Sequence, residues 1–348
     1  MRCYNHPYYR YALLAAFIFA QELSTVVVTS FIDSPELVEK SILHDNETRW
    51  FIEYQPESLQ LDNAVKPPVV IWLHGGGESM RDTLRRSNIP SRRWIDLSDE
   101  NDFLLLVPNG VNLETGDTFG DVQTWTYLLS SDDSRPRYDD VGFISKVVEY
   151  AISERNVDPN RVYISGMSLG GLMTYTLLLR APDLFAAGAA FIANLPSFPI
   201  DLPNQTTPIM MMNGNNDRIM LFDGGPLNGG TIRTAPETRD FWIQANRVRS
   251  SSVIQTTIPN RNWLDRCRIR SEFYPADRSN ETSDSATVSA SAPVQFYIMD
   301  GGGHFIPSRR GLLNPNIFVR EVFFGRACHD ANGADLAWAF LSSYTKAV

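Results

Sequence analysis

The run Arg161-Val-Tyr-Ile-Ser-Gly-Met-Ser168-Leu-Gly-Gly171 leads directly into the apolar pattern Leu172-Met-Thr-Tyr-Thr-Leu-Leu-Leu179. A short β-branched and aromatic run, then Gly-x-Ser-x-Gly, then helical periodicity predicts a strand, a sharp turn and a helix. No other stretch constrains the fold so tightly. A serine at such a turn takes a sparsely populated backbone conformation, and glycine two residues to either side removes the Cβ atoms that would collide. Gly166 and Gly170 occupy those two positions. The turn lifts the Ser168 hydroxyl clear of the sheet and aims the N-terminus of the following helix, with the Leu169 N–H, at the place where an oxyanion would form. Ser168 is therefore the candidate nucleophile.

The rest of the chain alternates strand and helix patterns around this turn. Val69-Val-Ile-Trp-Leu73 and Phe103-Leu-Leu-Leu-Val-Pro108 are continuous apolar runs, as expected of strands buried on both faces. Phe185–Ile192, Pro208–Met212 and Pro293–Met299 read the same way, and Leu37–Leu43 and Arg49–Tyr54 are earlier strand candidates. Helical spacing marks segments from Ile89 to Asn101, from Asp139 to Arg155, from Thr234 to Val248 and from Gly333 to Lys346. Asp139 and Asp140 suit an N-cap and a first-turn charge. Asp277–Ala292, rich in Ser, Thr and Asp, reads as an exposed excursion. One mostly parallel, right-handed central sheet accounts for this order, an α/β architecture with helices on both faces.

With 348 residues, the chain has room for one such domain, which we place at 31–348. Its formal net charge of −9 gives no electrostatic footprint for nucleic acid or an anionic membrane surface. Ahead of the domain, Arg2 and Arg10 precede the apolar run Tyr11–Ala20 with no acid between them. That pattern predicts a targeting segment over residues 1–30, too short to span a bilayer, and a secreted or periplasmic mature chain.

A nucleophilic serine needs a base and an orienting acid. His304 follows a predicted strand end through Asp300-Gly-Gly-Gly303, and Asp217 ends the turn Asn213-Gly-Asn-Asn-Asp217 after another. Loops at strand ends are where such groups belong, and the order Ser, Asp, His suits a sheet of this kind. His6, His44 and His329 are placed less well. Val69–Leu73 runs into His74-Gly75-Gly76-Gly77, a glycine cluster that lets backbone approach a ligand closely. The second oxyanion N–H is assigned to Gly76, with Gly77 as the alternate, and His74 itself reads as a packed loop histidine. Arg81, Arg85, Arg86, Arg92 and Arg93 form either a solvated face or, for one of them, a carboxylate-recognising group. Trp125, in the polar loop after Pro108, reads either as a cleft wall or as ordinary packing and is carried forward as a substrate-contact candidate.

These motifs resemble the secreted polyhydroxybutyrate depolymerase and feruloyl esterase-like α/β-hydrolases. The resemblance runs from about Arg49 onward and rests on Leu73-His-Gly75, Asp139-Asp-Val-Gly-Phe143, Val157–Tyr163, Gly166–Gly171, Ala181-Pro-Asp-Leu-Phe185, Asn213–Asp217 and Gly301-Gly-Gly-His304. It implies a serine esterase acting on ester substrates without metal or cofactor, with Ser168, Asp217 and His304 as triad. The alternatives are a secreted serine peptidase of the same fold and a catalytically silent binding protein. Leu169 and Phe305-Ile-Pro-Ser308 depart from the family's usual residues after the nucleophile and the base. Phe305 thereby becomes a candidate for substrate contact. Members also pair a cysteine after the acid with one before the last strand. Here that first partner is missing, so the resemblance leaves Cys328 as the partner of Cys267.

Overall fold

The computed structural model describes residues 37–61, 66–85, 90–128, 137–277, 291–309 and 317–346. The predicted targeting segment and most of the Asp277–Ala292 excursion lie outside these residues.

A ten-stranded sheet carries the chain, in the order β1-β2-β4-β3-β5-β6-β7-β12-β11-β10. Its centre is β4 (Leu104–Pro108), β3 (Val69–Leu73), β5 (Val162–Met167), β6 (Ala187–Phe191), β7 (Ile209–Gly214) and β12 (Val294–Asp300), all parallel. Every residue of β3 and β4 is buried, as their unbroken apolar runs require. Alternate residues serve opposite faces. Val69, Ile71 and Leu73 join the core of α2 (Asp140–Glu154), α3 (Leu169–Arg180) and α4 (Ala235–Ala245). Val70 and Trp72 join that of α1 (Arg93–Asn101) and α6 (Gly333–Leu341). Helices therefore cover both faces, and a shorter α5 (Ile317–Phe324) stands beside the loop that follows β12.

The sheet is mostly parallel, as expected, and turns antiparallel at both edges. β1 (Leu37–His44) and β2 (Glu47–Tyr54) form an antiparallel hairpin, and β2 pairs antiparallel with β4. At the far edge β10 (Ile254–Thr257) and β11 (Arg268–Tyr274), neither of them predicted, run antiparallel onto β12. Edge strands need no crossover helix and carry polar residues outward, so a search for buried apolar runs passes over them. A small hairpin, β8 (Gly225–Leu227) with β9 (Gly230–Ile232), was also unpredicted.

Parallel strands end on one side of the sheet, and this gathers the site. Segments following β3, β5, β7 and β12 bring His74–Glu78, Ser168, Asp217 and His304 to that side. Cys267 and Cys328 are bonded there, with Cα atoms 5.4 Å apart and both residues buried. The pair ties the start of β11 to the segment after α5. A Cβ on Gly302 would lie 2.8 Å from the Cys328 sulfur, so the bond lies against the loop bearing His304.

Candidate active site

Ser168 caps α3 with φ 54° and ψ −120°, a conformation that a non-glycine residue rarely holds. The neighbouring glycines allow it. A Cβ on Gly166 would come within 2.5 Å of the Gly170 carbonyl oxygen, and one on Gly170 within 2.4 Å of those of Leu73 and His74. The Ser168 N–H donates to Phe191 O at 2.9 Å, which locks the turn onto β6.

His304 Nε2 lies 3.0 Å from Ser168 Oγ, and His304 Nδ1 lies 2.7 Å from Asp217 Oδ2. The other carboxylate oxygen of Asp217 accepts the N–H groups of Ile219 and Met220, each at 2.8 Å. With both oxygens committed, the carboxylate can turn only by breaking hydrogen bonds. The loops bearing Asp217 and His304 are also stitched together. Asn215 Nδ2 donates to Asp300 Oδ1 at 3.0 Å, Gly301 N–H to Asn215 Oδ1 at 2.7 Å, and Asn216 N–H to Gly302 O at 2.8 Å. Beyond them, Gly303 and His304 N–H groups donate to Arg326 and Phe324 carbonyls, each at 2.6 Å. His329, by contrast, points its Nδ1 at Ser308 O, 2.7 Å away, and takes no part in the relay.

The glycine loop supplies the second wall. Gly75 N–H donates to Glu78 Oε2 at 3.0 Å and Gly77 N–H to Gln123 O at 2.7 Å. The Gly76 N–H has no partner among the described residues, nor does that of Leu169 at the first position of α3. Gly76 lies against Leu169, since a Cβ there would meet Leu169 Cδ1 at 2.4 Å. Two unspent donors thus flank Ser168, and the alternate, Gly77, is already bonded.

Trp125 requires a correction. It is 1% exposed, its indole N–H donates to His74 O at 2.9 Å, and its ring centroid lies 4.8 Å from that of His74. The side chain holds the glycine loop from beneath and does not face the cleft. Phe305, next to His304, is half-buried and sits edge-on to Phe324, with centroids 5.9 Å apart. The carboxylate-recognising reading of the arginines finds no support among those whose side chains are described. Arg81 pairs with Glu39, Arg92 donates to Leu84 O, and Arg93 is held by Glu100 and Asp335.

Asp140 and His74, both buried, were legible only in part. Asp139 caps α2 by accepting the Gly142 N–H at 2.9 Å, as its position suggested. Asp140 does more than charge the first turn: it meets Arg49 at 2.5 Å, with the two side chains 1% and 2% exposed, and accepts the Thr126 N–H at 2.6 Å. Burial pushes its carboxyl up in pKa, and Arg49 opposes that shift. His74 is fully enclosed. Its Nε2 accepts the Gly110 N–H at 3.0 Å, so Nδ1 carries the proton and donates to Gly75 O at 2.8 Å.

Burial pulls the His74 imidazole down from 6.5 to about 4, the Gly75 hydrogen bond opposing only in part. Below pH 6.5 the unfolded chain binds a proton that the folded state refuses, so stability falls as pH drops through this window. The full effect is about 3 kcal/mol by pH 4. Urea unfolding at pH 7 and pH 5 should show roughly 2 kcal/mol of this loss, and His74→Gln should abolish that part. An unchanged pH slope in the variant would remove His74 as the cause.

Residues 123–195 match the profile of the prolyl oligopeptidase family. Feruloyl esterase B of Neurospora crassa is 30% identical over 138 residues, 40% of this chain and 41% of that protein. Feruloyl esterase B of Thermothelomyces thermophilus is 29% identical over 181 residues, 52% of each. Poly(3-hydroxybutyrate) depolymerase of Ralstonia pickettii is 30% identical over 217 residues, 62% of this chain and 38% of that protein. The chain thus spans about half or less of the length of these relatives. Among solved structures, an acetyl xylan esterase from Aspergillus awamori aligns with 14% identity and a TM-score of 0.46, over 78% of this chain and 95% of that one.

Proposed function

We propose that this chain, which has the α/β-hydrolase fold and is similar to feruloyl esterases and a polyhydroxybutyrate depolymerase, is a serine esterase. The observation that carries the reading is the relay from Asp217 through His304 to Ser168, beside the two unspent N–H donors of Gly76 and Leu169.

In this reading His304 Nε2 takes the Ser168 proton as Oγ attacks the ester carbonyl. Asp217 holds the imidazole in the required tautomer and stabilises the imidazolium that forms. The oxyanion is received by the Gly76 and Leu169 N–H groups, each lowering the barrier by about 3 kcal/mol. His304 then protonates the leaving alkoxide, and the acyl-enzyme is hydrolysed by water activated in the same way. Phe305 borders the acyl or alcohol side of the cleft. Residues 1–30 direct export, residues 31–348 form the catalytic domain, and the Cys267–Cys328 bond suits an oxidising compartment. Among the described residues no helix is long and apolar enough to cross a membrane.

The match to the prolyl oligopeptidase profile favours a second reading, a serine peptidase on the same relay. A panel of short-chain p-nitrophenyl, methyl feruloyl, acetylxylan and hydroxybutyrate-oligomer esters against peptidyl p-nitroanilides separates the two. We expect ester hydrolysis, with peptide amides cleaved at least about a hundredfold more slowly. Peptide cleavage at rates matching the best ester would replace the esterase reading with the peptidase one.

A further inference from the structure

We propose that Glu78 is a positioning residue for the oxyanion loop: its carboxylate engages the Gly75 N–H and so leaves the Gly76 N–H as the donor available to the oxyanion. This rests on the esterase reading of Ser168, His304 and Asp217.

Gly75, Gly76 and Gly77 have no side chains with which to hold themselves, and glycine is the residue with most backbone freedom to lose. The loop is tied from outside. Gly77 N–H donates to Gln123 O at 2.7 Å, Gln123 N–H to Glu78 O at 3.0 Å, and Glu78 N–H to Gly75 O at 3.3 Å. His74 Nδ1 also donates to Gly75 O. Among the described residues one tie holds the Gly75 N–H, and it comes from the Glu78 carboxylate at 3.0 Å. Gly75 is buried beside the nucleophile, since a Cβ there would lie 3.6 Å from Ser168 Cβ and 3.1 Å from Glu78 Oε2. Without the carboxylate a buried donor is left unmet, and the His74–Gly75 peptide, whose carbonyl the Trp125 indole still holds, gains reason to tilt towards whatever acceptor the cleft offers. The Gly76 N–H belongs to the next peptide, whose carbonyl is held by His74 Nδ1 and the Glu78 N–H, and it is re-aimed through the Gly75 Cα as the first peptide tilts. A loss of this kind falls on the transition state, where the oxyanion exists, and spares ground-state binding.

Glu78→Ala and Glu78→Gln test the proposal on a neutral p-nitrophenyl ester, alongside affinity for a boronic acid that forms a tetrahedral serine adduct. Glu78→Ala should lower kcat about 10- to 100-fold with KM changed by less than about threefold, and weaken boronate binding in proportion. The glutamine amide oxygen can accept the same N–H, so Glu78→Gln should recover activity to within about threefold of the parent. An unchanged kcat in Glu78→Ala, a loss confined to KM, or a Glu78→Gln variant as impaired as the alanine would each overturn the assignment. A parent protein that neither turns over esters nor binds the boronate overturns the site reading itself, and this proposal with it.

Discussion

Ser168→Ala is expected to lower kcat/KM for a short-chain p-nitrophenyl ester by roughly 10⁴- to 10⁶-fold, with the thermal unfolding midpoint nearly unchanged. The substitution removes one oxygen whose hydrogen bond to His304 is replaceable by water, and it leaves the strained turn, Gly166 and Gly170 as they are. His304→Ala should be almost as severe, because nucleophile and base act as one unit and their losses do not add. The double variant should be no worse than Ser168→Ala. His329→Ala supplies the contrast, since that ring is spent on Ser308 O and should leave kcat/KM within a few-fold. Loss of activity in His329→Ala with His304→Ala active would move the base to the other histidine.

Asp140→Ala is expected to destabilise the fold by about 3–5 kcal/mol, among the largest single-residue effects outside the hydrophobic core. The change strips the partner from Arg49, which is 2% exposed and cannot reach water, and it also leaves the Thr126 N–H without its acceptor. An unmet buried charge costs more than the pair contributes, so Arg49→Met with Asp140→Leu should be far less damaging than Asp140→Ala alone. Urea unfolding of Arg49→Met, Asp140→Leu and the double variant measures the coupling. Additive single losses would mean that the pair is not the buried unit described. Because Thr126 adjoins Trp125, whose indole holds His74 O, Asp140→Ala should also loosen the glycine loop, and kcat should fall with stability.

The centre of the sheet was legible because strands buried on both faces leave continuous apolar runs such as Val69–Leu73, and the elbow because sterics demand glycine at Gly166 and Gly170. Asp217 and His304 stood out for a related reason, each lying on a glycine-containing loop that follows a strand. The edges were not legible. Ile254–Thr257 is exposed throughout, so nothing in its pattern separates it from a loop. Arg268-Ile-Arg-Ser carried a usable alternation, exposed and buried in turn, that its charges obscured. Asn228-Gly229, both at positive φ, was a hairpin signal that went unread.

Trp125 shows a different limit. Sequence fixes that a tryptophan follows the β4 loop, but not whether its ring turns to the cleft or inward, and that choice is set by the His74 carbonyl 51 residues away. Arg49 and Asp140, 91 residues apart, meet only once β2 and α2 are in place. Glu78 could have been suspected, since a carboxylate three residues after a glycine can reach back to that glycine's N–H as a capping-box glutamate does.

The central claim is that Ser168 is an activated nucleophile, and a fluorophosphonate reports on that directly, because it reacts with a serine whose proton a neighbouring base removes. Intact-mass and peptide mass spectrometry of the treated protein should show one phosphonyl group, on the peptide containing Ser168, absent in Ser168→Ala and formed far more slowly in His304→Ala. An unlabelled Ser168 in a protein that still hydrolyses esters, or a stoichiometric adduct on another residue, would contradict the account.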